Sequence, residues 1–149
     1  MAYDPILKSK RVILTSAQIK AIHATPIEIL PAPGSGKGYF VFGCAAKFVY
    51  GGSNVFIAAL GESIGLYYNN TVTSLITGNA FITNSAITSN ANLFMLGFQN
   101  NFGDQSPNVA GVLDNVNITA YNAAATEITG NIANNNTIDI TVYYSIINF

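Results

Sequence analysis

The chain has 149 residues, of which 50% are hydrophobic and 9% are charged, and its formal net charge at pH 7 is −1. This length suits one domain with a sizeable core, and the charged fraction is far below the roughly 25% of ordinary soluble domains. All six basic residues lie within residues 1–47, whereas residues 48–149 carry five acidic residues and no basic residue. A nucleic-acid site needs a basic face, so we expect no nucleic-acid partner.

The sequence shows no sign of a disulfide framework, a signal peptide or a membrane span. Cys44 is the only cysteine, and it lies in an apolar run where a thiol behaves as a small hydrophobic group. The first residues lack a basic segment followed by an apolar one. Lys47 interrupts the best apolar run, which stays below the length of about 18 residues that spans a membrane. We therefore expect no membrane partner.

Residues 1–9 are predicted to form an extended N-terminal arm. Asp4-Pro5 favours an extended or turning backbone, and no periodic pattern follows until Lys10. Residues 11–14 are then predicted to form a short strand. Lys8, Lys10 and Arg11 could contact an acidic neighbour, but an ordinary solvated strand edge explains them better.

Residues 15–23 are the one convincing predicted helix. Thr15 and Gln18 have the spacing of a capping box, in which each side chain bonds the other's backbone N–H. Thr25-Pro26 ends the helix, because the residue before a proline is disfavoured in helical geometry.

Residues 27–50 contain two predicted strands separated by a break. Residues 27–30 are a short apolar strand, and residues 31–36 read Pro-Ala-Pro-Gly-Ser-Gly, which cannot lie inside a paired strand because proline lacks an N–H. Residues 39–50 form a near-continuous apolar run. The pattern predicts a hairpin that leads into a core strand with both faces buried, with burial of one face against a neighbouring subunit as one arrangement.

The middle and end of the chain are predicted to add several shorter strands. These are residues 55–60, 64–68, 93–98 (a core strand), 109–113, 115–121, a short piece around Ile128 and residues 137–149, with a polar loop over 99–107. Residues 71–92 stay open between one helical turn and strand with loop, and their β-branched content favours the second. Residues 137–149 alternate most clearly, which indicates a half-buried strand.

Short strands at regular spacing, with turn residues between them and one helix near the start, predict an all-β fold. We expect an antiparallel β-sandwich of jelly-roll type over residues 10–149, which would be a single domain behind the arm at 1–9.

The glycine-rich stretch Gly34-Ser35-Gly36-Lys37 does not have the spacing of a phosphate-binding loop. That motif needs glycine at position 31, where Pro31 stands, and serine or threonine at position 38, where Gly38 stands. It also needs a following helix, and the pattern there is that of a strand. We interpret the stretch as the turn of a hairpin.

No constellation of catalytic residues is visible. His23 is the only histidine and Cys44 the only thiol, neither lies in a nucleophile motif, and the acidic residues of the second part are scattered. Asp114 and Asp139 lie near asparagines that could ligate calcium, but the EF-hand pattern is absent and turn chemistry explains them better. We predict no catalytic, cofactor-binding or metal-binding residue, no cofactor, and no enzymatic activity.

Two stretches of the sequence resemble a known group of proteins. Thr15–Ile19, Thr25–Leu30 and Ala32–Lys37 resemble the opening of small virion structural proteins of tailed bacteriophages, in which a strand and a short helix lead into a similar proline- and glycine-rich turn. Ile140–Ile147 resembles their closing strand. The resemblance covers roughly the first third and the last tenth of the chain.

The resemblance implies a non-enzymatic structural subunit of a bacteriophage particle, such as a capsid decoration, head-fibre or tail component. The expected partners are further copies of the chain, in a homo-oligomer for which a trimer is one arrangement, and other virion proteins such as capsid or tail proteins. The expected location is the virion, assembled in the bacterial host cytoplasm. The alternative is a receptor- or glycan-binding module at a fibre tip, with its site on exposed Tyr and Asn of residues 67–70 and 99–108.

Overall fold

The computed structural model describes residues 6–69, 81–98 and 114–148, which form mostly β-structure with antiparallel pairing throughout. The strands are β1 (Lys8–Leu14), β2 (Ile27–Leu30), β3 (Lys37–Val49), β4 (Phe56–Ile57), β5 (Gly65–Tyr68), β6 (Leu93–Phe98), β7 (Ile118–Tyr121), β8 (Thr129–Gly130) and β9 (Thr137–Asn148), and the helices are α1 (Ser16–Lys20) and α2 (Asn84–Ile87).

Sheet A has four strands in the order β1-β9-β3-β6. The alternating segment near the end of the chain is its interior strand β9, paired with β1 on one side and β3 on the other. Ile138, Ile140 and Val142 are fully buried on the face toward the core. This alternation was predicted from the sequence and is confirmed.

Strand β3 carries a β-bulge opposite Tyr143. Val41 pairs with Tyr144 and Gly43 pairs with Tyr143, so Phe42 is the extra residue. Phe42 lies exposed on the outer face, whereas Val41 and Cys44 to either side of the bulge are buried. Within this chain the predicted burial of both faces of β3 is found only toward the core, and burial of the outer face against a subunit stays a prediction.

Sheet B has the order β2-β7-β5, and sheet C is the pair β4-β8. The predicted hairpin between residues 27–30 and 39–50 is wrong, because β2 pairs with β7 whereas β3 pairs with β9 and β6. The break at residues 31–36 thus carries the chain from one sheet to another. Proline and glycine indicate the break but not the partner of the strands beside it.

The inner faces of the sheets contribute to one hydrophobic cluster. It contains Leu14 and Phe48 of sheet A, Leu66 and Ile118 of sheet B, and Phe56 of sheet C. The Tyr68 hydroxyl also donates a hydrogen bond to the carbonyl of Tyr39 at 3.0 Å, which links sheet B to sheet A.

Helix α1 begins with the predicted capping box. The Thr15 side chain accepts a hydrogen bond from the Gln18 N–H, and the Gln18 side chain accepts one from the Thr15 N–H. The helix ends at Lys20, three residues before the predicted end, and turns follow it. Within the described ranges, neither helix has the length and hydrophobicity to cross a membrane.

Several predicted boundaries differ from the structure. Strand β1 begins at Lys8, inside the segment predicted as an arm, and residues 1–5 lie outside the described residues. Strand β6 has the predicted bounds but lies at an edge of sheet A rather than in the core. The short helix α2 was not predicted, although Thr83 caps it. The predictions for residues 70–80 and 99–113 also lie outside the described residues.

Asn131 joins three loops through its buried side chain. Its Oδ1 accepts from the Ser16 hydroxyl at 2.7 Å and from the Asn136 N–H at 3.1 Å. Its Nδ2 donates to the carbonyls of Ser53 and Asn54 at 3.2 and 2.8 Å. Since buried backbone groups need partners, this one side chain holds the start of α1 against the ends of sheets A and C.

Replacing Asn131 by alanine should destabilise the protein strongly. The change removes the acceptor of two buried donors, the Asn136 N–H and the Ser16 hydroxyl, each at about 1–3 kcal/mol. Asn134→Ala is the matched control, because Asn134 has a similar positive φ (51° against 43°) but is exposed. We expect Asn131→Ala to lose at least about 2 kcal/mol more free energy of unfolding in urea than Asn134→Ala. Equal losses would show that backbone strain, and not the hydrogen-bond network, sets the cost.

Candidate interaction surface

The outer face of sheet A, which points away from the core, carries exposed apolar side chains at its β6 edge. Phe94 is 68% exposed and Leu96 is 62% exposed, although both lie in a regular strand. Phe42 at the bulge and Tyr143 on β9 are also exposed. We call Phe42, Phe94, Leu96 and Tyr143 the outer patch.

The register of sheet A shows that these residues share one surface. Leu96 lies opposite Ala45, and Tyr143 lies opposite Gly43 beside the bulge. The Phe42 ring packs edge-on against the half-buried Phe40 at a centroid distance of 4.9 Å. Aromatic and aliphatic side chains therefore lie on the outer face of β6, β3 and β9, with Lys47 of β3 beside Phe94.

One ion pair borders the outer patch. Arg11 donates to both carboxylate oxygens of Asp139 at 2.5–2.9 Å, and Lys47 lies opposite Asp139 in the register. The hydrogen bonds from Arg11 hold the pKa of Asp139 below its ordinary value, and the positive charges of Arg11 and Lys47 act in the same direction. Arg11 and Asp139 lie toward β1, whereas Lys47 lies opposite Phe94 of β6 in the register. One positive charge therefore adjoins the outer patch on β3.

The two edges of sheet A differ in charge. Strand β1 contains Lys8, Lys10 and Arg11, and charged side chains on an edge discourage pairing with another chain. Strand β6 reads Leu-Phe-Met-Leu-Gly-Phe and has no charged residue. Among the described residues β6 pairs only with β3, so its other side is an apolar edge.

The turn at residues 34–37 is held by two acceptor side chains. The Gly36 N–H donates to Asp114 Oδ1 at 2.7 Å, and the Gly34 N–H donates to Asn115 Oδ1 at 2.9 Å. The Lys37 N–H donates to the Gly34 carbonyl at 3.1 Å. Residues 34–37 therefore form a turn, but it joins strands of two different sheets and is not the turn of the predicted hairpin.

His23 is engaged by the structure around it. Its Nδ1 lies 3.0 Å from the carbonyl of Asn122, and its ring stacks on Tyr121 with a centroid distance of 5.9 Å. Glu127 accepts hydrogen bonds from the backbone N–H groups of His23 and Ala24 at 2.9 and 2.6 Å. These contacts close the turn after α1.

The acidic residues are distributed over separate loops and strands. Buried Glu62 accepts from the Ala59 N–H at 2.6 Å and from the Thr126 hydroxyl. Among residues 6–69, 81–98 and 114–148, no three or more His, Cys, Asp or Glu side chains come together as metal ligands would. The asparagines near Asp114 and Asp139 serve turns, since Asn115 and Asn134 have positive φ.

The tyrosine pairs lie in two different environments. Tyr67 is 3% exposed and Tyr68 5%, so the expectation that residue 67 presents an exposed ring for glycans is wrong. Burial raises the pKa of both hydroxyl groups. In the second pair Tyr143 is exposed, and Tyr144 packs against the core and the ring of Tyr39. Residues 99–108, the rest of the proposed glycan site, lie outside the described residues.

Comparison with family models, with characterised proteins and with solved structures gives no match for this chain. Its surface chemistry is therefore the basis for a functional proposal.

The outer patch was missed in the sequence because β6 was predicted as a core strand. Its six residues are apolar on both faces, a pattern typical of a strand buried on both sides. Only the strand order puts β6 at an edge. The absence of charge in the segment was the one available signal.

Cys44 is buried between β3 and β6, and its thiol should be unreactive in the folded protein. Burial raises its pKa to about 12, and its Sγ lies 3.6 Å from the carbonyl of Gly97. Because the thiolate is the reactive form, we expect Ellman's reagent at pH 8 to label the unfolded chain at least about 100-fold faster than the folded one. Leu60→Cys, at a fully exposed position, is the control for an accessible thiol. Rapid labelling of the folded wild type would contradict this assignment.

The pair of Arg11 and Asp139 should make stability depend on pH in the acid range. A lowered carboxyl pKa in the folded state contributes stability above the unfolded value of about 4, which is lost as pH falls through the folded value. We expect the wild type to exceed Asp139→Asn in free energy of unfolding at pH 7, and the difference to shrink below pH about 4. Arg11→Gln should behave alike, and the double variant should add no further loss. A difference that stays constant down to acid pH would refute the assignment.

Proposed function

We propose that this protein is a non-enzymatic structural subunit that self-associates and binds other proteins of a bacteriophage particle, such as capsid or tail proteins. The observation that carries the proposal is the outer patch beside the uncharged edge strand β6. The bacteriophage setting, and with it the location in the virion, comes from the sequence resemblance of residues 15–37 and 140–147.

The outer patch has the chemistry of a covered surface. Large apolar side chains grouped on a regular sheet are typical of interaction sites, whereas single exposed ones are ordinary. Covering Phe94 and Leu96, each about two-thirds exposed, contributes about 1–2 kcal/mol per side chain. The low charge of the chain favours the same interpretation, because charged residues are depleted at the centre of protein interfaces.

We also propose that sheets A and B are the two layers of a jelly-roll β-sandwich. The pairings support this because they are nested, as in a long hairpin wound over on itself: β1 pairs with β9, β2 with β7, and β3 with β6. The isolated antiparallel bridge between Ile64 and Ile82 is the innermost of these nested pairings, because both residues lie between β3 and β6 in the sequence. Jelly rolls occur in viral capsid proteins but also in lectins and cupins, so the fold agrees with a virion role without selecting it.

The receptor- or glycan-binding alternative is not the function we propose. Its expected site included an exposed Tyr67, and that ring is buried against Tyr121 with a centroid distance of 5.6 Å.

A lysine on the outer patch should disrupt self-association without unfolding the chain. Leu96→Lys places a charge at an exposed position of β6, where an interface would have to desolvate it. We expect the wild type to show concentration-dependent oligomers by light scattering coupled to size-exclusion chromatography, and Leu96→Lys to shift toward the monomer. The unfolding temperature of the variant at low concentration should match that of the wild type.

Leu60→Lys is the matched control, because Leu60 is exposed outside sheet A and should keep wild-type association. A wild-type chain that stays monomeric at every concentration would overturn the proposed self-association.

A further inference from the structure

The free side of β6 is suited to pairing with another strand. An edge strand presents unpaired N–H and C=O groups, and within the described residues no strand lies beyond β6. On the outer face of this strand Phe94 and Leu96 stay largely exposed. Backbone N–H and C=O groups and apolar side chains thus lie next to each other along β6, and strand addition uses both kinds of contact.

Charge distinguishes the strands that could pair with β6. If β1 of a second copy paired there, Lys10 would lie against a strand that has no carboxylate to meet it, and burying an unpaired cation is costly. If β6 of the second copy paired there, no charged residue would enter the strand pair. A two-fold contact sets each surface against its own copy, so an uncharged strand avoids repulsion between like charges.

We propose that β6 pairs antiparallel with β6 of a second copy about a two-fold axis at Met95, so that the two four-stranded sheets form one continuous sheet. This inference rests on the proposed self-association and names the partner as the same chain. Neighbouring strands alternate in direction across sheet A, and the antiparallel contact continues that alternation.

The two-fold axis restricts the register. Opposed residues of an antiparallel pair point to the same side of the sheet. A two-fold axis perpendicular to the sheet therefore passes beside one residue, which lies opposite the same residue of the second copy. An axis at Met95 retains five opposed pairs and places Phe94 against Leu96 of the other copy. It also places Leu93 against Gly97, which has no side chain. An axis at Phe94 retains three pairs within the six-residue strand. An axis at Leu96 also retains five, but it sets Leu96 against its own copy and does not bring Phe94 and Leu96 together.

The contact is small, so the pair should be reversible. Two six-residue strands fall below the roughly 1,200 Å² of total buried area that is typical of stable interfaces. The proposed pair therefore forms and dissociates with protein concentration, and other particle proteins remain able to cover Phe42 and Tyr143.

Two cysteine variants test the register. Phe94→Cys and Leu96→Cys are purified separately, mixed at a concentration where the wild type associates, and treated with a mild oxidant. Directly opposed residues lie about 4.5–5.5 Å apart, within the reach of a disulfide, whereas diagonal neighbours at about 7–8 Å exceed it. We expect the mixture to form at least about ten-fold more cross-linked dimer than either variant alone.

The controls separate this inference from the proposed function. The wild type, treated in the same way, measures any contribution of Cys44, and matching unfolding temperatures show that both variants fold. Association of the wild type without extra cross-linking in the mixture overturns the β6 pairing and leaves the proposed function standing. Strong cross-linking of one variant alone overturns the axis at Met95. A monomeric wild type overturns both proposals.

Discussion

The position of β9 inside sheet A is the constraint on which the rest of the structure depends. Both sides of its backbone are paired, so its register is set by two neighbours at once. A slip by one residue would turn its buried isoleucines and valine to the outer face. The bulge at Phe42 is the one place where the β3–β9 ladder shifts, and it adds an aromatic side chain to the outer face while the core face stays in register.

Because β9 and β3 occupy the interior of sheet A, the two edges are left to β1 and β6. The sequence treats them differently: the β1 edge is basic, and Arg11 is bonded to Asp139, whereas the β6 edge is apolar and uncharged. One edge thus carries charges of the kind that protect natural sheets against pairing, whereas among the described residues the β6 strand carries none. The proposed association rests on this asymmetry.

The few acidic side chains hold the loops of the structure. Glu62, Asp114 and Glu127 accept hydrogen bonds from backbone N–H groups, and Asp139 accepts them from Arg11. Asn131 has a similar part as donor and acceptor between three loops. In a chain with 9% charged residues, carboxylates and amides thus complete turns that strands alone leave unsatisfied.

The sequence by itself determined the local features of this protein. Composition and alternation gave the β-class and the interior face of β9, and the Thr15–Gln18 spacing gave the capping box, because these signals depend on residues close together in the chain. The partners of the strands were decided only by the tertiary structure. The break at residues 31–36 was visible, but the pairing of β2 with β7 joins residues far apart in sequence. The edge position of β6 was likewise decided only by the tertiary structure. An apolar strand has the same sequence pattern at the centre and at the edge of a sheet, and its exposure depends on which strands pack beside it.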